Sequence, residues 1–92
     1  MCSKDTNECE VYLTAQECEQ YAKSSLTNFP WNRILNDPST AGRSNYPKRC
    51  FLNDNNQIYF NPHVTGGVKS NTKPICKKCL SNVHFVQIFV TS

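Results

Sequence analysis

Hydrophobic and polar positions along the chain form two periodic stretches separated by long aperiodic ones. In the first, Ala15, Cys18, Tyr21, Ala22 and Leu26 recur at separations of three and four, the spacing of one stripe on a helix. Glu17, Glu19, Gln20 and Lys23 fall on the other faces. Thr14-Ala15-Gln16-Glu17 matches the S/T-x-x-E capping box, in which the Thr14 hydroxyl accepts from a first-turn amide and Glu17 reaches back to the Thr14 amide. Leu13 before the cap and Cys18 at the fourth helical position have the spacing of a hydrophobic staple. The pattern predicts a helix from Ala15 to Ser24 or Ser25, with Cys18 facing the core.

The second stretch alternates. Cys50-Phe51-Leu52 and Gln57-Ile58-Tyr59-Phe60-Asn61 flank the turn-forming run Asn53-Asp54-Asn55-Asn56, which predicts a β-hairpin. Period two puts Cys50, Leu52, Ile58 and Phe60 on one face and Phe51 and Tyr59 on the other. With the hairpin laid on the helix, Cys18 and Cys50 come together and make the first bridge to expect.

The remaining segments are less regular. Residues 1 to 10 are polar and read as an extended arm tied down by bridges. Residues 25 to 47 fill with turn formers, with one helical turn expected at Trp31 to Leu35 and a flexible tip from Asp37 to Asn45. Asn61-Pro62-His63 leaves the hairpin for a glycine-containing loop, and Pro74-Ile75-Cys76 reads as a short returning strand. Val83 to Val90 is β-branched and aromatic. It suits either a strand buried on both faces or an edge that pairs with another chain.

Composition makes the cysteines decisive. Of 92 residues, 38% are apolar, so the core is small, and six are cysteine. An even number at this density implies covalent bridges and therefore an oxidising compartment. A domain this short gains about 3–5 kcal/mol from its core, and one bridge gives roughly 2–4 kcal/mol, so two or three bridges equal the core's contribution. The length allows one cysteine-rich domain over residues 1–92, with its core at about 9–79 and residues 80–92 as a C-terminal strand or tail. Met1 is followed at once by polar residues with no apolar h-region, and reads as a start codon set before a mature or excised segment.

Charge and the length of the apolar runs argue against two classes of partner. The net +3 is scattered, and the pairs Lys48-Arg49 and Lys77-Lys78 fall short of the basic stripe that nucleic-acid binding requires. The longest apolar run, Phe85 to Val90, is far shorter than the ~20 residues of a membrane-spanning helix.

Candidate chemistry is sparse. Cys76-Lys77-Lys78-Cys79 is a CxxC, but no βαβ unit fits before it to make a redox motif. Zinc held by Cys76, Cys79 and His84 with a distant fourth ligand is a geometric alternative, although a second CxxC is absent. His63 reads as a turn residue and His84 as a strand residue, while the acidic residues crowd the arm and helix as ordinary capping and solvation. No catalytic constellation, metal site or cofactor motif is complete. Trp31, Tyr46, Phe51 and Tyr59 suit either the core or an exposed platform for a sugar or a peptide. Tyr46-Pro47-Lys48-Arg49, beside a cysteine at the end of the long loop, is the first segment to consider for binding.

Leu13-Thr14-Ala15-Gln16-Glu17-Cys18, Tyr46-Pro47-Lys48-Arg49-Cys50-Phe51, Ile58-Tyr59-Phe60-Asn61 and Pro74-Ile75-Cys76-Lys77 together resemble a small cysteine-rich module of algal and protist extracellular proteins. The resemblance spans about residues 9 to 78. It implies an extracellular or luminal stapled domain without an assigned activity, and carries over Cys9, Cys18, Cys50 and Cys76 as bridge formers. Arg49 stands where the module tends to have glycine, and the chain after Cys79 has no counterpart.

These readings converge on an α+β domain, one N-terminal helix packed on a short antiparallel sheet with long irregular loops and disulfide staples. The expected role is a secreted or luminal, non-catalytic binding or assembly subunit. It would meet a protein or glycan partner through the hairpin and the 37–49 loop, with Tyr46, Lys48, Arg49, Trp31 and Tyr59 as candidate contacts and the C-terminal strand available for a larger assembly. A zinc module and a small secreted redox or hydrolytic enzyme are the alternatives. Six cysteines allow fifteen connectivities. Cys18–Cys50 follows from helix face and strand position, Cys9–Cys76 from anchoring both arms, and Cys2–Cys79 by elimination. Cys2 and Cys79 remain equally suited to pairing with another chain.

Overall fold

The computed structural model describes residues 2–6, 8–25, 27–35 and 42–89. Leu26 and residues 37–41 of the expected flexible tip lie outside them. One helix, α1 (Ala15–Lys23), packs on a sheet of six strands: β1 (Val11–Tyr12), β2 (Trp31–Ile34), β3 (Arg49–Leu52), β4 (Ile58–Asn61), β5 (Lys73–Leu80) and β6 (Val83–Ile88). All strand pairs are antiparallel except β2 with β4. The fold is therefore α+β.

The helix starts where the capping box puts it. Glu17 N donates to Thr14 Oγ1 at 3.1 Å and Thr14 N donates to Glu17 Oε1 at 2.9 Å, so two orphan amides of the first turn are satisfied reciprocally. Cys18 and Ala22 are buried against Leu13, Cys50, Leu52, Ile58, Phe60 and Ile75, the main core.

The β3–β4 hairpin has the register that period two requires. Cys50 faces Phe60, Phe51 faces Tyr59 and Leu52 faces Ile58. Asn53 Oδ1 accepts from Asp54 N, Asn55 Oδ1 accepts from Gln57 N, and Asn56 takes a positive φ of 60°, so each asparagine has a turn function. Phe51 and Tyr59 project away from the helix and pack with Leu35 and Tyr46 into a second, smaller core.

Two segments differ from expectation. The turn of helix expected at Trp31 to Leu35 is instead β2. Its partner is β4, whose Ile58 N donates to Pro30 O at 2.8 Å and whose Phe60 O accepts from Leu35 N at 2.7 Å. Five residues without a cap or a tail of good helix formers cannot nucleate a helix alone, and the open edge of β4 offers backbone partners. The short strand expected at residues 74–76 is the eight-residue β5, which turns at Ser81-Asn82 and returns as β6 in full antiparallel register from Ile75–Ile88 to Leu80–Val83. Both turn residues have positive φ, 52° and 70°, as a two-residue hairpin turn of the I′ class requires.

β5 organises the sheet. Pro74 faces Phe51 of β3 on one side and accepts from Phe89 N at 2.8 Å on the other, while Cys76 lies between Tyr12 of β1 and Gln87 of β6. β1 and β3 therefore share one edge of β5, and β6 occupies the other. Among the described residues no strand pairs with the outer edge of β6. No helix among them is long and apolar enough to cross a membrane.

Candidate functional site

Three disulfides join Cys2 to Cys79, Cys9 to Cys76 and Cys18 to Cys50. All six cysteines are thus paired within the chain, a state compatible with an oxidising environment. The CxxC lies in the middle of β5, where residues three apart point to opposite faces of the sheet. Cys76 and Cys79 therefore cannot bridge to each other, and each takes a partner from the N-terminal arm. With both sulfurs bridged, neither offers the thiolate that redox exchange or zinc ligation uses. Cys2, Glu10 and His84 also come together, but the Cys2 sulfur is bridged, which leaves Glu10 Oε1 and His84 Nε2 as a pair at 3.1 Å.

The candidate binding residues divide between the two faces. Trp31 packs on the helix side, against the main core. Tyr46, Phe51 and Tyr59 stack on the opposite side, with ring centroids 5.7 Å apart at each step. A single platform of all four aromatics is therefore not formed. Phe51 and Tyr59 are buried, and the Tyr59 hydroxyl accepts from Asn32 Nδ2 and Asn55 Nδ2, both at 3.0 Å, which fits a polar group at the rim of a core.

Arg49 opens β3 with φ of 64°, a conformation that favours glycine, and its Nη1 donates to Pro62 O at 3.1 Å. Arg49 thus holds a left-handed backbone that glycine would adopt without strain.

Tyr46 and Lys48 lead to a groove of about 200 Å³ on the face away from the helix. It is lined by Tyr12 of β1 and Pro74 of β5, by two loop segments that form its banks, Pro47-Lys48 and Gly67-Val68-Lys69, and by Thr65 and Thr72. Lys48 Nζ lies 4.4 Å from the centroid of the Tyr12 ring, and Lys69 Nζ lies 5.5 Å from that of Tyr46. Each contact holds an ammonium over an aromatic face.

Local chemistry explains why the banks stand where they do. Asn61, fully buried at the end of β4, donates through Nδ2 to the carbonyls of Arg43, Tyr46 and Pro47 at 2.7, 3.1 and 2.9 Å. Its Oδ1 accepts from Arg43 N at 2.9 Å and His63 N at 3.3 Å. One side chain thus ties residues 43–47 to the hairpin. Opposite it, His63 Nδ1 accepts from Gly66 N at 2.8 Å, and Gly67 N donates to Tyr46 O at 2.8 Å. Gly66 has φ of 61°, and a Cβ there would fall on the Lys48 amide, so only glycine lets the two banks approach so closely.

Sequence reasoning reached Tyr46 and Lys48 but missed Tyr12, Lys69 and the Asn61 hub. Lys69 and Tyr12 are 57 positions apart in an aperiodic pattern, and no local signal joins them. Asn61 carried one signal, an asparagine ending an apolar strand immediately before proline.

Comparison with protein families, with curated proteins and with solved structures found no match to this chain.

Proposed function

We propose that this chain is a non-catalytic recognition or assembly subunit, secreted or held in an oxidising lumen, that binds a protein or glycan partner on its loop and hairpin surface. The observation that carries the reading is the groove beside Tyr46 and Lys48: a concave site with two cations and rigid banks, on a scaffold whose six sulfurs are all consumed in bridges. A cysteine–histidine enzyme would need a free thiol and a redox enzyme an accessible CxxC pair, and neither fits this arrangement. Arg49 belongs to the scaffold of the site through Pro62, while Trp31 and Tyr59 belong to the packing behind it.

Thiol labelling of the native protein, with the mass of the unreduced chain, tests the stapled reading: no label and a mass about 6 Da below the reduced form are expected. A reactive thiol in the native state would reopen catalysis. Screening the oxidised protein against arrayed peptides and oligosaccharides tests recognition, with binding expected to depend on Lys48 and Tyr46. Binding indifferent to both would move the site elsewhere.

A second reading, assembly through β6, rests on a separate observation. Leu80, Val83 and Phe85 are 43, 51 and 47% exposed, and from residue 81 to 89 the chain carries no Asp, Glu, Lys, Arg or Pro, the residues that usually protect an edge strand. A second copy of this strand would bring no Asp, Glu, Lys or Arg of its own against another on pairing. Sedimentation over a hundredfold concentration range tests it. A dimer lost in Val83→Lys/Phe85→Lys supports it, and a monomer throughout rejects it.

A further inference from the structure

We infer that the groove between Lys48 and Lys69 takes an acidic peptide segment, its carboxylates meeting the two ammonium groups and an apolar side chain lying between Pro47, Val68 and Pro74. The inference rests on the recognition reading above and names the chemistry of its partner.

Charge is the first ground. Among the described residues, none that lines the groove is acidic. Among the described residues, neither Lys48 nor Lys69 has a carboxylate within ion-pair distance, whereas Lys23, Lys77 and His84 each have one. Two ammonium groups without counter-charges beside one concave surface focus a positive potential where a ligand would sit. Their positions over Tyr12 and Tyr46 also restrict both long side chains before a ligand arrives, which lowers the entropy lost on binding.

The rest of the lining decides between peptide and saccharide. Sugar hydroxyls are held best by side chains that pair donor with acceptor, such as amides and carboxylates, or by the planar fork of arginine. Among the described residues the groove is lined by no Asn, Gln, Asp, Glu or Arg. An open aromatic face for stacking is also missing, because Lys48 lies over Tyr12. Thr72 Oγ1 is turned to the Lys69 carbonyl at 2.6 Å. What the surface offers besides the cations is apolar: two prolines and Val68, which is 92% exposed. Alternating carboxylate and apolar side chains of an extended peptide match that pattern.

The banks are held by groups that do not touch the groove ligand. Asn61 fixes Tyr46 and Pro47, and the Gly67 amide is bonded to Tyr46 O. Variants at the two lysines therefore change charge without releasing the banks.

The test is amide chemical-shift mapping on the oxidised full chain with five probes: a capped hexapeptide alternating aspartate and valine, the same peptide with lysine for aspartate, one with serine for valine, a heparin hexasaccharide and a hexagalacturonate. The aspartate–valine peptide is expected to shift the amides of Lys48, Val68, Lys69 and Thr72, to weaken several-fold between low and physiological salt, and to bind about tenfold less well to Lys48→Ala/Lys69→Ala. The lysine peptide should not bind, and the serine peptide should bind more weakly. Lys48→Arg/Lys69→Arg should retain most of the affinity, which separates charge from loss of fold. The inference is overturned if the saccharides alone move these amides, or if the peptide binds on the β3–β4 turn or on β6. In both cases the recognition reading survives. Failure of all five probes to move any amide would overturn both.

Discussion

Replacing Cys2 and Cys79 together by alanine removes one bridge and leaves two, and the expected cost depends on how the bridges are nested. Taken alone, Cys2–Cys79 spans 77 residues, for which loop-closure entropy gives about 4.5 kcal/mol at 25 °C. Cys9–Cys76 lies inside it, however. With that bridge intact, Cys2–Cys79 closes only the path of seven residues from Cys2 to Cys9 and three from Cys76 to Cys79. The same relation then gives about 2.7 kcal/mol. Little changes on the native side, because Thr6 N to Cys79 O, Cys79 N to Thr6 Oγ1 and Ser81 N to Asp5 Oδ1, all 2.9 Å, still hold the arm on β5. Guanidinium unfolding without reductant measures the loss. With a slope of about 3 kcal/mol per M, the midpoint should fall by about 1 M. A loss of about 4 kcal/mol or more would refute the nested-loop reasoning. A loss below about 1 kcal/mol would mean that the arm leaves the sheet once unbridged, so that its local contacts alone are given up.

Asn61→Ala should cost about 3 kcal/mol, since several backbone groups lose their partner at a buried site, and Asn61→Asp should cost more because a carboxylate oxygen would face three carbonyls. Equilibrium unfolding checks the order, and a milder Asp variant would contradict it. Glu17 is held below its usual pKa of 4.5, first by the Thr14 backbone amide and then by Lys77. A lowered folded-state pKa adds stability that is present above pH 4.5 and lost as pH falls through the folded value, so Glu17→Gln should cost less than about 1 kcal/mol at pH 7 and nothing in strong acid. Thermal unfolding from pH 7 to pH 2 reads this out, and a constant difference would show that the charge is not responsible. At Arg49, glycine relieves a left-handed backbone and loses one hydrogen bond, whereas valine loses the bond and adds β-branched strain. Arg49→Gly should therefore be more stable than Arg49→Val by at least about 1 kcal/mol, and equal stabilities would remove backbone strain from the explanation.

Local signals carried the parts of the fold that are local in sequence. The helix from Ala15 was legible because its cap, staple and apolar stripe all lie within a dozen residues. The β3–β4 hairpin was legible because four turn-forming asparagine and aspartate residues separate two alternating runs, and alternation sets the register. The pairing of Cys18 with Cys50 followed from those two elements. The β5–β6 hairpin was not legible, because its turn is Ser81-Asn82 in place of a glycine-containing pair, and β5 carries lysines and cysteines where alternation would be apolar. β2 has no strand signal stronger than its helix signal, and only the open edge of β4 decides its conformation.

By itself, then, the sequence determined a small α+β core and the need for covalent staples, since these depend on composition and on patterns a few residues long. Tertiary structure alone decided that Cys2 pairs with Cys79 within the chain, that β6 pairs on one side with β5 and with no other strand among the described residues, and that Trp31 lies on the face opposite Tyr46. It also brought Tyr12, Lys48 and Lys69 to one groove. The physical reason is the same in each case: these contacts join segments distant along the chain, where no periodicity links them and only the packing of the whole sheet specifies which side chains meet.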